Sequence, residues 1–460
     1  MSTYHSKKAK EFLKDPKKVE RHDRTFWSLR QKRDAAAAEL PEWEDLREHA
    51  SRIKEHTATH LADYLEQFSN SLERNGVIVH FAKDAQEFNE MVYGILESHK
   101  VKKLVKSKSM LTEECEMNPY LIKRGINVVE SDLGERILQL MHLKPAHIVM
   151  PAIHLTRDEI GEMFEEKGIS KEKGNHDPAY LTRCAREDLR GDFMDADAGL
   201  TGCNFGVAAT GDCVVCTNEG NADMSTSVPK LHIVAMGIEK VIPDYDSLAV
   251  FQRLLARSGT GQPSTAFTSQ FGKARPGGEM HVILVDNGRS DMIANKEHWM
   301  TLKCIRCGAC MNTCPVYRRS GGYSYSYFIP GPIGVDLGML KNPKLHSGNV
   351  SACSLCLSCD CVCPAKVTPG SQIYRWRQSL EKYGTENKEK KVMAEGMKVV
   401  YENYHIYDAL LRNSSVANHI PESLMDIKLN PWSIGHTMPK FAKKPFHVIF
   451  KQAMEELKHE

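Results

Sequence analysis

The chain has 460 residues, 41% of them apolar, with 61 basic and 59 acidic side chains and 14 cysteines. Such a length suits two to four domains of about 100–200 residues each, and the nearly balanced charge excludes a global field that would hold nucleic acid or an anionic membrane. No run approaches the roughly 18–20 apolar residues of a membrane span, and the opening "MSTYHSKKAKEFLKDPKKVERHDR" lacks the apolar core of a secretion signal, so a soluble, cytoplasmic protein with reduced, metal-binding cysteines is expected.

Residues 1–75 are rich in Ala, Glu, Lys, Arg and Leu. Leu46, Ile53, Leu61, Leu65 and Leu72 fall at helical spacing and Gly76 ends the pattern, which predicts an N-terminal helical arm. From Gly76 onward short β-branched runs alternate with helical patterns. "GVIVHFA", "VKKLVKS", "INVVES" and "HIVMPAI" read as strands, separated by the helical "DAQEFNEMVYGILESH" and "TEECEMNPYLIKRG" and followed by "TRDEIGEMFEEKG". Strand, helix, strand at this rhythm predicts βαβ units and a mainly parallel sheet covered on both faces. Further strands are predicted at "FGVAAT", "CVVCTN", "LHIVAMGI" and "EMHVILVD", the first two joined as a hairpin through Thr210-Gly211-Asp212. The Gly259-x-Gly261 of "SGTGQPS" follows a helical pattern rather than a strand and lacks a third glycine, so it is read as a loop and not as a nucleotide-binding turn. The α/β block closes near residue 290.

Two cysteine motifs of identical spacing follow: Cys304-x2-Cys307-x2-Cys310-x3-Cys314-Pro315 and Cys353-x2-Cys356-x2-Cys359-x3-Cys363-Pro364. Three cysteines at intervals of three let a tight loop wrap three corners of an iron–sulfur cube, and the fourth, ahead of proline, ligates the other cube in two-cluster ferredoxins. The expected sets are Cys304, Cys307, Cys310 and Cys363 for one [4Fe–4S] cluster, and Cys353, Cys356, Cys359 and Cys314 for the second. Structural zinc sites use paired C-x2-C knuckles with four ligands per ion, which suits these triplets less well. The long stretch between the motifs predicts a helical ferredoxin module rather than a minimal βαββαβ one. Cys361 is surplus to the scheme and is read as a small buried thiol beside the cluster, with an alternative ligand or redox-active thiol as the second reading; Leu357 stands where the first motif has Gly308, so a slightly different loop is expected there. Cys213 and Cys216, three apart on a predicted strand, face opposite sides and are read, with Cys203, as buried thiols. Cys115 and Cys184 receive no role. The chain after residue 385 reads as a helical and irregular tail, helical around 390–412.

The stretches "VKSKSMLTEECEMNPYLIKRGINVVESDLGERILQL", "PAIHLTRDEI", "DADAGLTGCNFGVAATGDCVVCTNEGNAD" and "PWSIGHTMPKFAKKPF", together with the two Cys motifs, resemble the bacterial lactate-utilisation iron–sulfur proteins over nearly the whole chain. The resemblance implies a LUD-type α/β domain, akin to CoA transferases and ribose-phosphate isomerases, over 76–292. Beside it would stand an N-terminal helical arm (1–75), a mainly helical two-cluster ferredoxin domain (293–385) and a C-terminal tail (386–460). It further implies oxidation of L-lactate to pyruvate in the cytoplasm with two partner subunits, a cysteine-rich iron–sulfur protein and a second LUD-domain protein, and no nucleic acid. In the related transferases a glutamate near a Glu-Asn-Gly-like stretch reacts with substrate. The order in "TNEGNAD" differs, so Glu219 and Asn221 remain site candidates without a nucleophilic role. Lys106, Ser107, Lys108 and Ser109 are candidates for an anionic ligand, because the carboxyl ends of parallel strands are where such sheets bind one. Two alternatives stand beside this reading. One is electron transfer from another 2-hydroxy acid such as glycolate, and the other is a metabolite-binding, transferase-like module with structural clusters. No flavin or nicotinamide fingerprint identifies the primary hydride acceptor.

Overall fold

The computed structural model describes residues 2–383, 388–421 and 440–458. The resembling stretch at 431–446 lies largely outside them. Chain contacts divide the protein into two units, Met1–Thr385 and Glu386–Glu460.

The first unit is built on a six-stranded sheet made of β1 (Ile78–Ala82), β2 (Lys103–Lys106), β3 (Asn127–Glu130), β4 (Ala198–Gly202), β7 (Leu231–Gly237) and β10 (Glu279–Val285), in the order β1-β10-β7-β4-β2-β3. Every neighbouring pair is parallel, with Val282 opposite Val234, Leu200 opposite Ile233 and Leu104 opposite Ala198. Successive side chains on a strand point to opposite faces, and both faces here are apolar. Leu104, Val128, Ile233 and Ile283 pack on one side with Phe88, Val92 and Leu96 of the helix Ala85–Ser98. Their chain neighbours Val234 and Val282 pack on the other side with Phe68 and Leu72, and Val105 and Val129 with Leu189 and Phe193. Burial on both faces explains the continuous apolar runs of these strands. Asp84 starts the helix Ala85–Ser98 by accepting the Glu87 N–H at 2.9 Å. Thr156 and Glu159 form a reciprocal cap for Arg157–Glu166.

A second sheet joins β5 (Phe205–Val207), β6 (Asp212–Thr217), β8 (Val241–Ile242) and β9 (Phe267–Phe271) in the order β8-β5-β6-β9. The β5–β6 pair is the expected antiparallel hairpin, Phe205 opposite Val214. One strand reading needs correction. The run His147–Ile153 is not a strand but a succession of turns; the His147 ring accepts the N–H groups of Val149 and Met150 at 3.1 Å each, and Pro151 has no N–H for a ladder. Conversely β4 ("AGLTG") and β9 ("FTSQF") are strands that the pattern does not announce.

The four N-terminal helices, Tyr4–Phe12, Pro16–Ala38, Trp43–Thr59 and Leu61–Arg74, are tightly packed. Phe26, Trp43, Ala50 and Ile53 share one core with Phe205 and Phe251 of the α/β part and with Met311, Tyr317, Ile333 and Trp376 around the cysteine motifs. The regular elements of the motif region are all helices, with Gly331–Lys341, Pro343–Ala352 and Pro369–Ser379 the longest. In the second unit the helices Lys388–Glu402, Tyr404–Asn413 and Phe446–Glu456 are described. There His447 bonds Asp408 at 2.7 Å, and the helices Tyr404–Asn413 and Phe446–Glu456 bury no residue. Among the described residues no helix is long and apolar enough to cross a membrane.

Candidate metal centres and the adjoining cavity

Each cysteine triplet is held by a backbone that turns through the left-handed region twice. In the first loop Arg306 (φ 60°) and Gly308 (φ 81°) make these turns, and in the second Leu355 (φ 55°) and Leu357 (φ 58°) make them at the matching positions. The substitution of Leu357 for Gly308 therefore leaves the loop's path intact. The third cysteine of each motif sits in a short helix, Ala309–Thr313 or Ser358–Val362. These helices meet through the Thr313 and Ser358 hydroxyls, and Arg30 donates to Ser358 at 3.1 Å. Backbone N–H groups turn toward sulfur: Arg306 to Cys304 at 3.4 Å, Leu355 to Cys353 at 3.4 Å and Val367 to Cys363 at 3.3 Å. All fourteen cysteines are free of disulfides.

The fourth cysteine of each motif lies near the triplet of the other motif. Cys304, Cys307, Cys310 and Cys363 line one small apolar cavity with Ile148, Ile305, Ile333 and Val367. Burial pushes the Cys310 thiol well above its ordinary value, and Cys304, Cys307 and Cys363 are close enough to push it further. Burial likewise takes Cys314 up to about 11, and there the neighbouring charges are Cys353 and Cys356. Cys359 is raised by burial, by Asp360 and then by Cys310, Cys314 and Cys353. Among the described residues no three cysteine sulfurs lie within 4.8 Å of one another, whereas one tetrahedral zinc with bonds near 2.3 Å would hold its sulfurs about 3.8 Å apart. Four thiols spaced wider than a single ion allows, in an apolar chamber with N–H groups aimed at sulfur, fit the donor set of a [4Fe–4S] cluster. Cys361, expected to be a buried thiol, is instead exposed and enters neither group. Cys356 is also exposed, whereas Cys363 is buried. Asp336, wholly buried with neither carboxylate oxygen partnered, lies near Cys304 and Asp360; its burial favours the neutral acid, and no motif marks it.

Beside the first group opens a cavity of about 740 Å³. Its floor is the carboxyl end of the parallel sheet, with Ser107, Lys108 and Ser109 after β2, Asp132 after β3 and Cys203 after β4. Glu219 and Asn221 come from the segment after β6, and Arg306 and Cys307 of the first cysteine loop close the far wall. Of the predicted site residues Ser107, Lys108, Ser109, Glu219 and Asn221 thus meet in one place. Lys106 does not join them and needs correction as an anion ligand. It is fully buried, 2.7 Å from Glu130 and 3.4 Å from Glu113, and these carboxylates with Glu135 hold it charged against its burial. That lysine also explains why Glu113, Glu130 and Glu135 converge.

Burial and the nearby Asp132 raise the Glu219 carboxyl to about 7, although it accepts the Leu133 N–H at 3.1 Å. The Lys108 ammonium donates to the Val149 carbonyl at 2.8 Å and stands 4.0 Å from Asp132. Cys213 is fully buried, and Cys216, from the opposite face of β6, lines the cavity, as their spacing requires. At the far wall Arg289 pairs with Glu114 at 2.8 Å and Glu239 at 2.6 Å. Burial alone would raise Glu239, but Arg289, Lys240, Arg306 and Lys54 hold it at about 2. These far-wall residues come from separate elements and share no local motif, so only the fold reveals them. A chain of hydrogen bonds ties the cavity to the first loop: His147 to the Asn312 carbonyl oxygen at 3.1 Å, and the Asn312 amide to the Gly259 carbonyl at 2.8 Å.

Comparison with known proteins agrees with this division. The LUD domain model matches residues 65–286 and the 4Fe-4S dicluster domain model matches residues 300–367. "Lactate utilization protein B" of Bacillus pumilus is 40% identical over 93% of this chain and 93% of its own, and that of Shouchella clausii 37% identical over 94% and 93%. The "Uncharacterized electron transport protein YkgF" of Escherichia coli is 41% identical over 75% of this chain and 74% of its own. Similarity of this extent, spanning both the sheet and the cysteine loops, makes the chain a member of the lactate utilization protein B family.

Proposed function

We propose that the chain is the iron–sulfur electron-transfer member of a complex that oxidises L-lactate to pyruvate, acting with a cysteine-rich iron–sulfur protein and a second LUD-domain protein. In this reading Cys304, Cys307, Cys310 and Cys363 hold one [4Fe–4S] cluster, and Cys353, Cys356, Cys359 and Cys314 hold a second. The observation that supports it is the position of Cys363 in the cavity lined by Cys304, Cys307 and Cys310, with Cys314 near Cys353 and Cys356. Clusters so held supply one-electron transfer, and two of them match the two electrons that a 2-hydroxy acid releases. The chain's own residues set the conditions. Ile148, Ile305, Ile333 and Val367 keep water from the first group, and the N–H groups of Arg306, Leu355 and Val367 favour electron-rich sulfur. The exposed Cys356 opens the second group to a partner's surface. The Glu219 carboxyl, near 7, is suited to exchange a proton at neutral pH.

The test is electron paramagnetic resonance on anaerobically purified protein, with L-lactate or glycolate added to the chain alone and then with its partners. The reading expects reduction by L-lactate only when partners are present. Reduction by glycolate in preference to L-lactate would change the substrate, and no reduction in either arrangement would remove the electron-transfer role.

A further inference from the structure

We infer that the 740 Å³ cavity is a binding site for an anionic organic redox ligand, whose acid group Arg306 anchors in the chamber that Cys307 also lines. The inference rests on the reading of Cys307 as a cluster ligand.

The far wall of the cavity carries more positive charge than its carboxylates neutralise. Glu114 is held below the ordinary carboxylate range, against its burial, by Arg289, Lys341 and Arg306, and Glu239 is held down by Arg289, Lys240, Arg306 and Lys54. Arg289 takes both carboxylates directly, Lys341 reaches Glu114 at 3.7 Å, and Lys54 donates to the Glu239 carbonyl. Arg306 and Lys240 are left over. Among the described residues neither has a carboxylate within 4.0 Å, and Nη1 of Arg306 is buried with no hydrogen-bond partner. A buried guanidinium N–H without an acceptor is unfavourable by about 1–3 kcal/mol or more, and guanidinium groups suit carboxylates and phosphates. On the floor the Ser107 hydroxyl, 3% exposed, is also unpartnered. Floor and far wall thus both offer donors that a ligand in the cavity would satisfy.

Volume bears on the ligand's size. Cavities of about 300–1,000 Å³ enclose drug-sized molecules, so 740 Å³ far exceeds a three-carbon acid. It suits a phosphorylated redox cofactor of mononucleotide size, of the class that carries two electrons and parts with them singly, as flavins do. Apolar surface from Ile148, Val149, Met150 and Leu255 is available for its body. A carboxylate substrate and a cofactor phosphate share the acid chemistry that Arg306 would hold, so the experiment must separate them.

The anaerobic, cluster-loaded full chain is titrated with flavin mononucleotide, riboflavin, pyruvate and L-lactate, binding being followed by calorimetry and flavin fluorescence. Saturable binding of flavin mononucleotide, with riboflavin about tenfold or more weaker, is expected. Binding of pyruvate or L-lactate instead would assign the same anchor to the substrate acid. Arg306→Gln should weaken whichever ligand binds by about tenfold or more, and Arg306→Lys should restore part of it. Because Arg306 lies inside a cysteine loop, Lys240→Gln and Ser107→Ala are measured in parallel, each with a several-fold loss expected. Iron content and paramagnetic signals are recorded for every variant. Full iron with no saturable ligand, or with equal affinity in Arg306→Gln and Lys240→Gln, overturns the inference while the cluster reading stands. A shift in cluster potential alone would overturn it too, assigning those cations to the cluster's own charge. Failure of the wild-type chain to hold eight irons would instead overturn the cluster reading.

Discussion

At Leu357 a branched side chain occupies the left-handed backbone region (φ 58°) that its counterpart Gly308 enters freely (φ 81°). Loop shape is thus kept where side chains differ, and the cysteines carry the chemistry. Cys361 stands exposed outside both groups, so Cys361→Ser should leave eight irons bound and both cluster signals unchanged; loss of about half the iron would contradict that assignment. Glu219 gives a pH prediction. Its carboxyl, raised from 4.5 to about 7 by burial and by Asp132, favours the fold while it is protonated. That contribution is complete below about pH 4.5 and is lost as pH rises through about 7. Glu219→Gln should therefore melt with the wild type at pH 4.5 and above it at pH 8, by an amount of order 1–3 kcal/mol. Thermal melts across that range check it, and a gap that does not widen with pH would contradict it.

The elements around the site are held by close backbone approaches. A Cβ on Gly199 of β4 would lie 1.7 Å from the Ser225 carbonyl oxygen of the helix Asn221–Ser227. Gly199→Ala should cost about 3 kcal/mol, whereas Gly94→Ala, in open space on the helix Ala85–Ser98, should gain about 0.5–1 kcal/mol; denaturant midpoints compare the two. At the end of the helix Tyr245–Thr260, a Cβ on Gly259 would meet the Cys307 carbonyl oxygen at 2.6 Å. Gly259→Ala should push the first loop away and make four of the eight irons leave several-fold faster to a chelator, with the other four unaffected. The same approaches explain what the sequence concealed. β4 needs Gly199 and Gly202 to admit Ser225 and Ser109, and with Thr201 as its single β-branched residue it carries little of a strand's signature. His147–Ile153 carries that signature but folds into turns around the His147 ring. The βαβ rhythm, the hairpin at Thr210-Gly211-Asp212 and the helical ferredoxin region were legible because periodicity and turn chemistry are local.

At the scale of the molecule, one core joins the N-terminal helices, the α/β part and the cysteine loops, and the large cavity lies where the sheet's carboxyl ends face the first loop. The proposed ligand scheme rests on spacing and the trailing Cys-Pro, which are local features. The cavity was readable only in part. "KSKS" and Glu219 sit at strand ends, where a parallel sheet binds ligands, but Arg306, Lys240, Arg289 and Glu239 gain their meaning from contacts between distant parts of the chain, as where Arg289 meets Glu239, 50 residues away, and Glu114, 175 residues away. Lys106 was misread as a ligand because its carboxylate partners arrive from β3 and the helices Met110–Glu114 and Leu133–Met141. The central claim is the exchange of Cys314 and Cys363 between the two clusters, and iron content of paired variants tests it most directly. Cys307→Ser and Cys363→Ser should each leave four of eight irons, and the double variant should still leave four, because both strike one cluster. Cys307→Ser with Cys314→Ser should leave none. The opposite pattern, with the 307/363 pair emptying both clusters and the 307/314 pair only one, would contradict the exchange.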